Sequence, residues 1–429
     1  MAFQRFIEHG RHMASGIPSP YLTEAWPGVG GRIKDELADF IVEEVPLYPP
    51  SGEGEHVYFE IEKTDLSTLE ALERIGRALR RPSREFGFAG LKDRRGVTRQ
   101  VLTIDRLDPA DVLAIDAPGV RVLSASRHRN KLRVGHLRGN RFRIRVRDVE
   151  PDAERIEAVL AILLERGMPN WFGPQRFGVR GEAQWIGRAI VSGEDREAVE
   201  RLLGRPSVEE RNTELVAARW LFQQFRWSEA LERVPRAYRE ERRILEHLLR
   251  RGEDWSGALR RLGPRMTRLY LAAFQSFLFN RVVERRLAFE GGDLGRFRAG
   301  DLAYLHRNGA VFLVDDPDSL VERSRAFEIS PSGPLFGPRM MPPSGVVAEL
   351  ETSVLEEAHL SPKVFERLGR YSDLGGERRP LRVPVSELEW RLEGQDLVLS
   401  FFLPKGSYAT SLLRELMKND EIPEGFEQQ

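Results

Sequence analysis

Asn140 to Arg147 reads NRFRIRVR. Phe142, Ile144 and Val146 alternate with Arg143, Arg145 and Arg147. A period of two is that of a β-strand whose faces meet different surroundings. One face is apolar and suits a core; the other carries a guanidinium at every second position. A strand with one packed and one solvated face belongs to an antiparallel sheet. Like charges spaced this way repel unless something anionic lies across them. From Arg121 to Arg147 there are ten Arg or Lys residues and no Asp or Glu. Charge alone leaves two readings open: a solvated strand, or a face turned to the phosphates of a nucleic acid.

Working outward, HVYFEIEK (His56–Lys63) alternates Val57, Phe59 and Ile61 with Tyr58, Glu60 and Glu62, which predicts a half-buried strand. STLEALERIGRALR predicts a helix: Ser67 and Glu70 form a capping-box pattern, and Leu69, Leu72, Ile75 and Leu79 fall on one face. RQVLTID reads as a further strand. DAERIEAVLAILLERG is an amphipathic helix, followed by the aromatic and glycine-rich PNWFGPQRFGVRGE from Pro169 to Glu182. An arginine-rich helical stretch runs to about Leu262. In MTRLYLAAFQSFLFNRVVERRL, Phe274, Phe277, Leu278 and Val282 share the apolar face of a strong helix. GGERRPLRVP marks a junction. The chain then closes on a buried strand, a turn at Lys405-Gly406 and a helix entered near Ser407 and Thr410. Strands at both ends around a mostly helical middle indicate an α+β fold: one domain interrupted by a second.

The bulk composition removes several classes. Hydrophobic residues make up 41% and charged residues 31% of 429, the profile of a globular protein. No apolar run is long enough to span a bilayer, so no membrane partner is expected. MAFQRFIEHGRHMASG lacks the apolar centre of a signal peptide, and a cytoplasmic location is expected. With no cysteine, thiolate chemistry, disulfides and Cys-type zinc sites are excluded. The eight histidines include no pair at zinc-hydrolase spacing, so no metal is expected. Neither GxGxxG nor a Walker-type phosphate loop occurs, and no cofactor is expected. The absence of a coiled-coil repeat points to a monomer. The 66 basic and 66 acidic residues cancel, so polyanion binding would need a local basic surface.

One such surface surrounds GFAGLKDRRGVTRQ (Gly87–Gln100). It places one acid, Asp93, among Lys92, Arg94 and Arg95. By itself an Asp beside arginines is usually a solvated ion pair of small energetic weight. However, AGLKDRRGVTRQ is followed in order by HRNKLRVGHLRGNRF, PNWFGPQRFGVRG and LPKGSYATSLLRELM. Together these resemble the TruD family of tRNA pseudouridine synthases. The resemblance covers Ile33 to Lys418 and is weakest from about Glu194 to Leu262.

The resemblance implies a mainly antiparallel central sheet flanked by helices, with an inserted α/β domain particular to the family. It divides the chain into a discontinuous catalytic domain, 1–168 with 370–429, and an inserted domain, 169–369, with RNA bound in the cleft between. It implies transfer RNA as substrate, modified at uridine 13. The essential aspartate of the GLKD motif corresponds to Asp93, the asparagine and aromatic of the GNxF motif to Asn140 and Phe142, and a basic residue near the aspartate to Lys34. Two departures stand out: Leu37-Ala38-Asp39-Phe40 replaces the usual Pro-Glu-Asp-Phe, and Ala183 stands where the family often has asparagine.

Converting uridine to pseudouridine breaks the C1′–N1 bond, turns the base and rejoins it through C5. No redox step or group donor is needed. A carboxylate can attack C1′ or take the 2′ proton, and both routes are open. Either needs Asp93 ionised in a partly dry site, which a nearby Lys34 would favour. Phe142 would stack on the base, and Asn140 would hold the Asp93 loop or cap a turn. Lys92, Arg94, Arg95, His128, Arg129, Lys131 and Arg133 are the candidate RNA contacts. The competing reading is a non-catalytic RNA-binding or RNA-chaperone protein on the same scaffold, which would have no need of an acid facing phosphates. A metal-dependent nuclease would need clustered carboxylates, and this segment offers one.

Overall fold

The computed structural model describes residues 20–207, 210–370 and 374–419. The N-terminal segment read above for a signal peptide lies outside these residues. The chain forms two compact units, Pro169–Arg382 and the unit built from Tyr21–Met168 and the stretch from Val383 onward. Among the described residues no helix is long and apolar enough to cross a membrane.

The first stretch lays down strands β1 (Arg32–Ile33), β2 (Phe40–Pro46) and β3 (His56–Thr64), then helix α1 (Thr68–Leu79). Both capping-box hydrogen bonds between Ser67 and Glu70 are made, so the sequence signature sets the helix start. Leu72 and Ile75 are buried as expected, but Leu69 is exposed. Thr68 and Ala71 take the inward positions beside Leu72, rotating the buried face toward the sheet. Strands β4 (Gly87–Phe88), β5 (Val97–Asp105), β6 (Val120–His128) and β7 (Leu137–Arg147) and helix α2 (Ala153–Arg166) complete the stretch.

The middle of the chain forms helices α3 (Ala183–Ser192), α4 (Asp195–Leu203), α5 (Thr213–Gln223), α6 (Trp227–Arg233), α7 (Arg239–Arg251), α8 (Trp255–Leu259) and α9 (Pro264–Phe289). Strands β8 (Leu302–Leu305), β9 (Val311–Leu313) and β10 (Ile329–Leu335), helix α10 (Gly345–Glu357) and strand β11 (Glu377–Pro380) follow. The four strands form an antiparallel sheet in the order β9-β8-β10-β11. Phe274, Phe277, Leu278 and Val282 of α9 are all buried, as their spacing predicts.

The chain returns through β12 (Ser386–Glu393), β13 (Asp396–Pro404) and helix α11 (Ala409–Met417). These join the first stretch in one nine-stranded sheet whose main path is β12-β13-β7-β2-β5-β3-β6. β1 pairs with β7 and β4 with β5; all pairings are antiparallel except β2 with β5. Phe142, Ile144 and Val146 pack with Phe40, Val42, Phe401 and the α2 and α11 side chains in one core. Each fully buried side chain of this kind contributes about 1.5–3 kcal/mol.

The cationic face of β7 is neutralised by the protein itself. Arg141 pairs with Glu387 of β12, Arg145 with Glu393 and Asp396, and Arg147 makes a bidentate pair with Asp39 at 2.8 and 2.9 Å. Burial pushes the Asp39 carboxyl up. The Arg147 hydrogen bond, the Glu36 amide and the charges of Arg147 and Arg145 outweigh this and hold it below the usual carboxylate range. Asp39 therefore anchors the segment that departs from the family's Pro-Glu-Asp-Phe. The anions that answer Arg141, Arg145 and Arg147 come from residues distant in the chain, Asp39 before β7 and Glu387, Glu393 and Asp396 after it, and most of this face is not offered to RNA.

Candidate active site

The Asp93 turn runs from β4 to β5. Gly96, at φ +145°, ends it. A Cβ there would lie 2.4 Å from the Phe40 carbonyl oxygen, so only glycine lets the turn approach β2 this closely.

Three tethers hold the turn. The Lys92 backbone N–H donates to Thr68 Oγ1 at 2.9 Å, and the Thr68 hydroxyl donates to Gln100 Oε1 at 2.9 Å. The Lys92 ammonium meets Glu44 at 2.6 Å with both side chains almost fully buried. Lys63 Nζ donates to the Asp93 backbone oxygen at 2.8 Å and also to the Leu66 carbonyl. None of these uses the Asp93 carboxylate.

That carboxylate is met by Lys34, whose Nζ lies 3.1 Å from Asp93 Oδ1. The pair is asymmetric: the Lys34 side chain is 1% exposed and that of Asp93 31%. The cation is inside and the anion opens outward. Lys34 follows β1 at φ +63°, a conformation that costs a residue with a side chain about 1–2 kcal/mol. Its Nζ stands 4.0 Å from the Phe40 ring centre, a cation–π contact. Burial pushes the Lys34 ammonium down; the Asp93 charge opposes this and Arg95 adds to it.

Phe40 continues the line inward. Its ring meets Phe142 edge-on at 6.3 Å, and Phe142 stacks on Phe401 at 5.3 Å. Phe142 is thus a core residue with one ring face taken by Phe401. Asn140 lies two residues away on the same face of β7, opposite Glu44 in the ladder to β2. Its Oδ1 is buried without a hydrogen-bond partner. Glu44 therefore links the strand position of Asn140 to Lys92, the neighbour of Asp93.

Two expected RNA contacts do not fit their role. Lys92 is a buried ion-pair partner, and breaking such a pair costs about 3–5 kcal/mol, so it is structural. The His128 ring packs against Tyr48 and Tyr58, and its Nδ1 accepts the Ser51 N–H. Burial, then His56 and Arg129, push its pKa down, which leaves it a poor cation. Arg129 pairs with Glu53 and Arg95 donates to the Asp35 carbonyl. Lys131 donates to the Glu85 carbonyl at 2.7 Å. Arg94 holds Asp65 and Glu70 only at 3.9 and 3.8 Å. Arg133, Arg138 and Arg143 are exposed and form no close ion pair among the described residues, although the Arg138 charge, after Arg141, helps hold Glu387 below the usual carboxylate range.

Lys63 is the residue the sequence reading missed. The signal was present: Lys63 continues the face of Val57, Phe59 and Ile61, so alternation alone places its ammonium inside. Burial brings it down to about 8, with Asp93 and Glu70 raising it and Lys92 lowering it. Because this lies below the ordinary 10.5, the unfolded chain binds the proton more tightly. The cost of burying the charge is full below pH 8 and is relieved as pH rises toward 10.5. For activity the consequence is opposite, since the charge beside Asp93 is lost over the same range. The pH–rate profile is expected to fall above about pH 8, and Lys63→Arg, which keeps its charge, to move that fall upward. An unmoved profile would make Lys63 a purely structural tether.

A mainly antiparallel α+β sheet with this motif order places the chain among the pseudouridine synthases, the enzymes that isomerise uridine within RNA. Comparison with known proteins narrows the class. The family model for tRNA pseudouridine synthase D (TruD) matches residues 17–416. The chain belongs to the TruD family. It is 48% identical to tRNA pseudouridine synthase D of Geobacter metallireducens over 404 residues, 93% of this chain and 97% of that protein. It is 40% identical to the Thermus thermophilus protein of the same name over 406 residues, 94% of this chain and 93% of that one. A crystal structure from Methanosarcina mazei, assigned as tRNA pseudouridine synthase D, superposes with a TM-score of 0.79. It shares 31% identity and covers 94% of this chain and 97% of that one.

Proposed function

We infer that this protein is a tRNA pseudouridine synthase acting on uridine 13 of transfer RNA, with Asp93 as the reactive carboxylate. The observation that carries the reading is the asymmetric pair of a buried Lys34 and an outward-opening Asp93. A solvated ion pair would expose both partners. A pair with its cation sealed away holds the anion in place and leaves it accessible to a substrate.

Each residue then has a task. Asp93 attacks C1′ or takes the 2′ proton once the uridine has left its stack, a step that costs a few kcal/mol. Lys34 holds the carboxylate by a direct ion pair, while Lys63 and Lys92 fix the backbone beside it. Phe142 presents what remains of its ring surface to the base, and Asn140 holds the strand position opposite Glu44. Arg94, Arg133, Arg138 and Arg143 hold RNA phosphates, offsetting the unstacking cost with a strongly salt-dependent interaction. The unit holding Asp93 serves as the catalytic domain, and Pro169–Arg382 as the inserted domain. The protein works as a monomer in the cytoplasm, where its substrate is found.

Pseudouridine has the mass of uridine, so the test must label it chemically. The protein is incubated with a tRNA transcript, treated with a pseudouridine-specific reagent and mapped by primer extension. A new stop at position 13 is the expected result. Pseudouridine elsewhere would overturn the site, and binding with no pseudouridine on any RNA would favour the non-catalytic binder.

A further inference from the structure

Many exposed arginines are answered by a carboxylate, and Arg133, Arg138 and Arg143 are not. A larger group without carboxylates lies in the stretch where the family resemblance is weakest. Between Arg233 and Arg268 the chain carries eleven arginines against five carboxylates. Arg236, Arg239, Arg243, Arg251, Arg261 and Arg265 are exposed, and none meets a carboxylate among the described residues. The five acids are engaged elsewhere. Glu246 lies 3.8 Å from Arg250, Glu253 is 4.0 Å from Arg196, and Asp254 holds His247 at 2.8 Å. Glu240 and Glu241 form no ion pair with these arginines among the described residues, and their charges bear on Tyr270.

The fold gathers these cations. Arg239 and Arg243 are one turn apart on the outer face of α7, with Arg236 just ahead of them. After Gly252 the chain doubles back. Asp254 and Gly257 sit against His247 of α7, so α8 runs back along that helix. The following turn, Arg260–Leu262, packs on α7 and carries the exposed Arg261, with Arg265 opening α9. Like charges at this spacing destabilise a helix surface. Arg141, Arg145 and Arg147 of β7 escape that cost through carboxylates of their own protein, and these do not.

We propose that the outer face of α7, with Arg236, Arg239, Arg243, Arg261 and Arg265, is a second tRNA-binding surface that grips backbone phosphates independently of the target nucleotide. The proposal rests on transfer RNA being the substrate. Guanidinium groups without partners match phosphates, which they bind bidentately. Nothing here reads a base edge, so the surface adds affinity and not sequence choice.

The test is the binding of full-length tRNA by the Asp93→Asn chain, which cannot turn the substrate over, as a function of salt. Into this background go Arg236→Glu, Arg239→Glu and Arg243→Glu together. A matched control reverses Arg196, Arg226 and Arg325, which are already paired with Glu200, Glu229 and Glu322. The triple variant is expected to bind at least about tenfold more weakly, with the log–log salt slope reduced by about two to three. The control should stay near the parent. Equal affinity and slope in triple variant and parent would overturn the surface and leave the face to an acidic protein partner. A control as weak as the triple would overturn it too, by showing a general charge effect. Binding through this face by an otherwise wild-type chain that makes no pseudouridine would overturn the catalytic reading and leave the surface standing.

Discussion

Asp93→Asn is expected to lower pseudouridine formation at least about 10⁴-fold while changing tRNA affinity by no more than about twofold. The substitution keeps the shape of the side chain and removes its ability to attack carbon or accept a proton. The three tethers of the turn reach Lys92 and the Asp93 main chain, never the carboxylate, so the loop should keep its place. The phosphate contacts belong to arginines outside this side chain. Lys34 loses its counter-ion, but burial already pushes it toward the neutral amine, so releasing a proton relieves the buried charge. Chemical labelling of pseudouridine gives the rate, and fluorescence anisotropy on labelled tRNA gives the affinity. A variant that modifies tRNA at the normal rate would remove Asp93 from the reaction. A variant that is inactive because it no longer binds would make the aspartate a scaffold for the RNA site.

The sequence was most legible where one local rule governed the outcome. The Ser67–Glu70 pattern started α1 where it predicted, and the alternation in NRFRIRVR placed Phe142, Ile144 and Val146 in the core. It was least legible where a residue's environment came from distant strands. The β7 arginines looked like a phosphate surface because Glu387, Glu393 and Asp396 lie about 250 residues further on, and only the sheet order brings β12 and β13 alongside. Lys92 looked like a surface cation because Glu44 sits on another strand. Lys34 alone would read as an exposed strand-edge residue, and only the family resemblance pointed inward. Lys63 was readable, but lysine is rarely buried, and that prior hid a position that alternation had already assigned.

These reversals share a physical cause. A buried cation is tolerated only beside an anion or several carbonyl oxygens. Lys34, Lys63 and Lys92 are three buried lysines in one unit, and all three are held at or beside Asp93. Two of them fix the main chain and one faces the carboxylate. The unit thus carries a costly concentration of internal charge around the carboxylate that we propose as the reactive group.

Lys34→Met should therefore be the second most damaging change, lowering kcat/KM by about 10²–10³-fold. The methionine fills similar volume and keeps contact with Phe40, so packing is largely preserved. What disappears is the ammonium 3.1 Å from Asp93. Burial holds the wild-type ammonium below its ordinary range, so the wild type itself loses this charge as pH rises, and the gap to Lys34→Met should be deeper at mildly acidic pH than at alkaline pH. A structural role would lower the rate evenly across pH. The backbone supplies a further control. At φ +63° glycine is the unstrained residue, so Lys34→Gly should be more stable than Lys34→Ala by about 1 kcal/mol in urea denaturation, yet equally inactive. If the glycine variant recovers activity along with stability, Lys34 acts through the fold of its turn. If both variants stay inactive while their stabilities separate, the ammonium itself is what the carboxylate requires.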